Sequence, residues 1–137
     1  MQTVLTYLML FLTGFLLQAQ NTLEVSMAGF ENNDGKVLVG LYNTEGDFLE
    51  KIYQGTSSEI VNNKATVTFS DVPDGVYAIS CFHDEDDNGK FNMLFGFIPT
   101  ESFGTSNNAP AMFGPPKWED AKFEVKNNQK LKFNIKL

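Results

Sequence analysis

The strongest constraint on what this chain can fold into is a two-residue rhythm, broken at short intervals by Asn, Asp, Gly and Pro. Near the C-terminus Leu131, Phe133, Ile135 and Leu137 alternate with Lys130, Lys132, Asn134 and Lys136. A strand turns successive side chains to opposite faces, so this pattern builds one face for a core and one for water. Leu23, Val25 and Met27 repeat it, as do Val37, Val39 and Leu41, and then Ala65, Val67 and Phe69. The run Val76 to Phe82 is also strand-like, and Ala121 to Lys126 precedes the last strand. Asp34-Gly35 predicts a hairpin joining the first two strands, and Asn127-Asn128-Gln129 a hairpin joining the last two. Phe48, Leu49 and Ile52 have the spacing of a short helical turn, and nothing longer is helical. About six or seven strands with regular turn signals imply an all-β fold, a single Ig-like antiparallel β-sandwich.

One segment interrupts the rhythm. Met93 to Glu119 is rich in Gly and Pro, yet carries Phe95, Phe97, Phe103, Phe113 and Trp118. So many apolar residues would not stay solvated, so the segment reads as one long irregular loop folded over an end of the sandwich. Its aromatics either cap an open core or form a ligand surface from Phe103, Asn107, Asn108, Phe113 and Trp118.

The first 19 residues read as a signal peptide. Val4 to Leu17 is an apolar run broken only by Thr6, Thr13 and Gly14, and Gln18-Ala19-Gln20 allows cleavage after Ala19. The run is short of the roughly 20 residues a membrane span needs. Residues 20–137 then form the exported β-sandwich domain, periplasmic or extracellular, with no stable membrane span. A net charge of −7 excludes nucleic acid as a natural partner and favours cations. An envelope protein or a glycan suits such a domain better.

Residues 83 to 92 carry the most specific chemistry. Asp84, Asp86 and Asn88 alternate and Gly89 follows, the first half of a calcium-loop pattern. Alternate residues of a tight loop can turn oxygens to one centre, and the Gly lets the next carbonyl point inward. The expected ligands are Asp84, Asp86 and Asn88, the Lys90 carbonyl, and Asn92 directly or through water. Position twelve is Phe95, where an EF-hand supplies a bidentate Glu. A Ca²⁺ site here therefore needs a distant acid, from Glu85, Asp87, Glu101, Glu119 or Asp120. The same residues also make a metal-free acidic turn, because Asp, Asn and Gly are what turns prefer. Against that stand four consecutive carboxylates, Asp84 to Asp87, which repel one another without a counter-ion.

Catalysis finds few parts. Cys81 and His83 are the sole cysteine and histidine. No nucleophile elbow, zinc-protease motif or phosphate loop occurs. Cys81, in phase with Tyr77 and Ile79, reads as a small buried hydrophobe. The expected function is non-catalytic, with Ca²⁺ as the one candidate cofactor. A carbohydrate- or peptide-binding module using the 93–119 segment is the alternative. A hydrolase built on paired acids comes last, since nothing in the chain separates their roles.

Two resemblances follow from longer motifs. Phe69-Ser70-Asp71-Val72-Pro73-Asp74-Gly75-Val76-Tyr77 resembles the F-x-x-[LV]-P-x-G-x-Y signature of transthyretin-like and carboxypeptidase-regulatory-like sandwich domains. That resemblance implies a Pro-x-Gly turn and a Tyr entering the core. The blocks His83 to Lys90, Gly96 to Glu101, Gly104 to Asn108 and Phe113 to Ala121, in this order and spacing, resemble DUF2141. This is a family of small exported bacterial proteins of undefined function, and the resemblance implies a secreted or periplasmic sandwich. Asn92 stands where that family pattern tends to have Asp.

Overall fold

The computed structural model describes residues 20–91, 93–94 and 98–137. The proposed signal segment, Asn92, Phe95 and Phe97 lie outside the described residues. Among the described residues, ten strands and one short helix run in the order β1 (Asn21–Ala28), β2 (Lys36–Tyr42), β3 (Gln54–Ser58), β4 (Lys64–Val72), β5 (Gly75–Asp84), β6 (Met93–Leu94), β7 (Ile98–Pro99), β8 (Phe103–Thr105), α1 (Trp118–Ala121), β9 (Phe123–Val125) and β10 (Lys130–Lys136). A 3₁₀ turn, Ser106–Asn108, precedes α1.

Eight of the strands form two sheets. One has the order β10-β1-β4; the other has the order β3-β2-β5-β8, with β9 also on β5. Their inner faces share one core, with Leu23, Val25 and Met27 of β1 and Ala65, Val67 and Phe69 of β4 on one side. Val37, Val39 and Leu41 of β2 and Ile79 and Cys81 of β5 supply the other side. Each of these triplets is the alternating set read from the sequence. The fold is therefore an all-β sandwich, as expected.

The pairing differs from expectation in three ways. First, β1 and β2 lie in different sheets, so Asp34-Gly35 makes no hairpin. The reason is Phe30, 4% exposed, which carries the connection into the core and packs its ring 5.3 Å from that of His83. Second, β9 pairs with β5 while β10 pairs with β1, so the last two strands form an arch across the sandwich. Ala121 ends α1 rather than opening a strand. Third, β1 and β10 run parallel, held at one end by Thr22 N–H to the Gln129 carbonyl and at the other by Leu137 N–H to the Ala28 carbonyl, both 2.9 Å. The sandwich is thus mixed rather than wholly antiparallel.

The β4–β5 corner falls at Pro73-Asp74-Gly75. The chain leaves one sheet at Val72 and enters the other at Gly75. Tyr77 is 4% exposed, and its hydroxyl donates to the Pro73 carbonyl at 2.7 Å. A tyrosine at a strand start tying back to upstream backbone is a recurrent corner device of Greek-key sandwiches. Buried Asn21 completes the corner. Its Nδ2 donates to the Val72 carbonyl and to Asp74 Oδ1, and its Oδ1 accepts from Gln129 N–H, each at 2.8 Å.

The described residues of the 93–119 segment include regular elements that the sequence did not predict. The segment contributes β8, which pairs with β5 through Ser80–Thr105, Cys81–Gly104 and Phe82–Phe103. Gly104 makes this possible, because a Cβ there would lie 2.7 Å from Ile135 Cγ2. A glycine inside a strand marks such close approach. Tyr42, Phe48 and Trp118 form an aromatic row on the outer side, with centroids 5.4 and 5.7 Å apart.

Candidate functional site

The acidic loop leaves the end of β5, beside the start of β2, where Lys36 pairs with Asp84. Its four consecutive carboxylates each meet different partner atoms. Asp84 is fully buried and points back into the loop. Its Oδ1 accepts from Asn88 N–H at 3.2 Å and its Oδ2 from Gly89 N–H at 2.8 Å. Glu85 Oε1 lies 3.6 Å from His83 Nδ1. Asp86 Oδ2 accepts from Asn88 Nδ2 at 3.1 Å. Asp87 pairs with Lys36 at 3.0 Å. Lys36 offsets the charge of Asp87, and two backbone N–H groups bind Asp84.

A second segment closes the loop from the side. His83 N–H donates to the Ser102 carbonyl at 2.9 Å, extending the β5–β8 ladder by one residue. That extension carries Glu101 to the loop, where its Oε2 accepts from Glu85 N–H at 3.0 Å. Glu101 is 6% exposed. One oxygen from each of Asp84, Asp86 and Glu101 lies within 4.8 Å of the others. Of the five distant acids named from the sequence, Glu101 is the one brought to Asp84 and Asp86 in this way. Glu119 is instead paired with Lys122 at 2.8 Å.

The remaining expected ligands are placed as follows. Asn88 Oδ1 accepts from Lys90 N–H at 2.8 Å, an Asx turn that fixes the bend before β6. Lys90 is exposed, and Asn92 is outside the described residues. Backbone support comes from Gly35, whose φ is +62° and whose missing Cβ would collide with the Asp84 carbonyl. An open cleft adjoins the cluster, lined by Glu31, Glu85, Thr100, Glu101, Ser102 and Phe103 among others. Its lining includes the three carboxylates Glu31, Glu85 and Glu101, and negative charge gathered in a cleft attracts a cation. Glu31, Gly35 and Asn21 escaped the sequence reading. Gly35 had a signal in its Asp-Gly step, but one that pointed to a different turn.

The five residues of the aromatic-surface expectation meet different neighbours. Phe103 packs 5.6 Å from Phe91, which in turn lies 5.2 Å from Phe82. Trp118 packs on Phe48 instead. Phe113 is fully exposed. Asn107 Nδ2 donates to the Asp120 and Lys122 carbonyls at 3.2 and 3.0 Å. Asn108 bonds β10, its Nδ2 donating to the Asn134 carbonyl at 3.1 Å and its Oδ1 accepting from Lys136 N–H at 3.0 Å.

Cys81 and His83 are both buried beside the loop. Burial pushes the Cys81 thiol up to about 12, so it stays protonated. Its Sγ faces the Gly104 carbonyl at 3.6 Å. His83 is fully buried, and its Nε2 lies 2.6 Å from the Asp34 carbonyl. A carbonyl only accepts, so that nitrogen carries the proton.

Fold and loop together define a β-sandwich with an acidic loop braced by a remote glutamate, a class that by itself assigns no function. Within that class the chain belongs to the family described as "Uncharacterized protein conserved in bacteria (DUF2141)", whose model matches residues 25–132. No curated protein and no solved structure matches it.

Proposed function

We propose that the protein is an exported, non-catalytic β-sandwich domain whose 84–90 loop binds Ca²⁺. One observation carries this reading: the oxygens of Asp84, Asp86 and Glu101 lie within 4.8 Å of one another. Calcium sits about 2.4 Å from its oxygens, so two ligands on opposite sides stand at most about 4.8 Å apart. The loop spacing favours Ca²⁺ over Mg²⁺, which demands tighter octahedral geometry and keeps more water. The bound ion would link the end of β5 to residues 99–102 and so fix the β6–β8 segment. Cleavage after Ala19 would release residues 20–137, and among the described residues no helix is long and apolar enough to cross a membrane.

A glycan or peptide surface has less support, because Asn107 and Asn108 spend their amides on backbone and the aromatics are dispersed.

Thermal melting in EDTA, CaCl₂ and MgCl₂ tests the cation. At calcium about one hundred times above Kd the fold gains about 2.7 kcal/mol, a rise in Tm of about 10 °C. Glu101→Gln and Asp86→Asn should each remove most of that rise. A wild-type Tm equal in all three buffers would refute calcium binding.

A further inference from the structure

Asn88-Gly89 is the one Asn-Gly step in the sequence, and it stands on the exposed side of the acidic loop. Asn is among the chemically labile residues, and glycine after it removes the Cβ that would hinder attack by the following amide. A Cβ built on Gly89 meets no atom within 4 Å, so water has open access. In an unconstrained chain the Gly89 nitrogen loses its proton to solvent and attacks Asn88 Cγ. The new C–N bond closes a succinimide, the Cγ–Nδ2 bond breaks, and ammonia leaves. Water then opens the ring at either carbonyl, giving Asp or isoAsp at position 88.

The folded loop holds each group this reaction needs. Gly89 N–H, which must be deprotonated, is bonded to Asp84 Oδ2 at 2.8 Å. An adjacent carboxylate opposes formation of an amide anion. The leaving amide is held by Asp86 Oδ2 at 3.1 Å. The carbonyl that must rotate toward Gly89 is held by Lys90 N–H at 2.8 Å. Asp84 itself is fully buried, so its oxygen is not free to swing away.

We propose that Asn88-Gly89 is a latent deamidation site, kept closed by Asp84 and Asp86 and opened when the loop loosens. The product would be a fifth consecutive carboxylate after Asp84–Asp87, or an isoAsp whose extra backbone carbon breaks the turn. Closure needs no metal, and the inference does not rest on the calcium reading.

The test is run in EDTA, so that a failure here is separable from a failure of calcium binding. Purified protein is held at about pH 8 and 37 °C, and the peptide bearing Asn88 is followed by mass spectrometry for a gain of about 1 Da and for isoAsp. Native protein should react about ten-fold or more slowly than the same protein in urea, reflecting the rarity of local opening. Asp86→Ala, folded by circular dichroism, should react faster than wild type, and Asp84→Ala faster still. If Asp84→Ala does not fold, Asp86→Ala alone decides. Equal rates in native and urea-unfolded protein would overturn the proposal, as would a folded Asp86→Ala no faster than wild type.

Discussion

At the scale of single residues, the sequence marked Cys81 as a small hydrophobe from its phase with Tyr77 and Ile79, and the core contains it. Its thiol has a pH signature. Burial raises it from an ordinary 9.0 to about 12, and burial raises the Tyr42 and Tyr77 hydroxyls in the same sense. Between about pH 9 and about 12 the unfolded chain has lost the thiol proton while the native state keeps it. The unfolded state then binds fewer protons, so stability falls as pH rises through that window and is unaffected by Cys81 below it. Urea midpoints measured across this range should fall less steeply for Cys81→Ala than for wild type, although its starting stability will be lower. Parallel slopes would mean the thiol is not protected. Asn21 gave no comparable signal. A polar residue beside an apolar run looks like a strand edge, and only the fold shows that it ties the β4–β5 corner to the β9–β10 connection.

Elements were legible one at a time, and their partners were not. Alternation identifies a strand and its inner face, but it is blind to which sheet the strand joins. Asp34-Gly35 and Asn127-Asn128 both supply positive φ, yet each sits in an arch. Phe30 draws the first arch inward, and Gln129, taken by Asn21 and Thr22, closes the second. The acidic loop was half legible for the same reason. Asp84, Asp86 and Asn88 are local and periodic, whereas Glu101 reaches them only through the β5–β8 register. Gly35 gives the element-scale prediction. Gly35→Ala would place a Cβ against the Asp84 carbonyl at φ +62°. Strain and collision together should cost about 2–3 kcal/mol in urea unfolding and should distort the loop. A loss under about 0.5 kcal/mol would show that the first arch does not bear on the acidic loop.

For the whole molecule, the sandwich and its acidic end were foreseeable, while the mixed sheet was not. Parallel pairing of β1 with β10 sets the first and last strands side by side, with Thr22 opposite Lys130. This arrangement makes the proposed cleavage after Ala19 specific. Asn21 is fully buried and bonded to Val72, Asp74 and Gln129, so the folded domain begins almost at the cut. Protein recovered from its native cell should start at Gln20, as read by mass spectrometry of the N-terminal peptide. A start at Met1 would remove export by cleavage. A cut beyond Asn21 should leave the β4–β5 corner unsatisfied and cost about 1–3 kcal/mol.

The strand β10 is the outer member of its sheet, and its odd-numbered backbone groups face β1. Its Asn134 carbonyl and Lys136 N–H face the other way, and Asn108 occupies both with one carboxamide. Those are groups that an incoming strand from another molecule would use to begin pairing. A single side chain thus imitates a neighbouring strand at one point of the rim, and the sheet is stopped there from growing into a polymer.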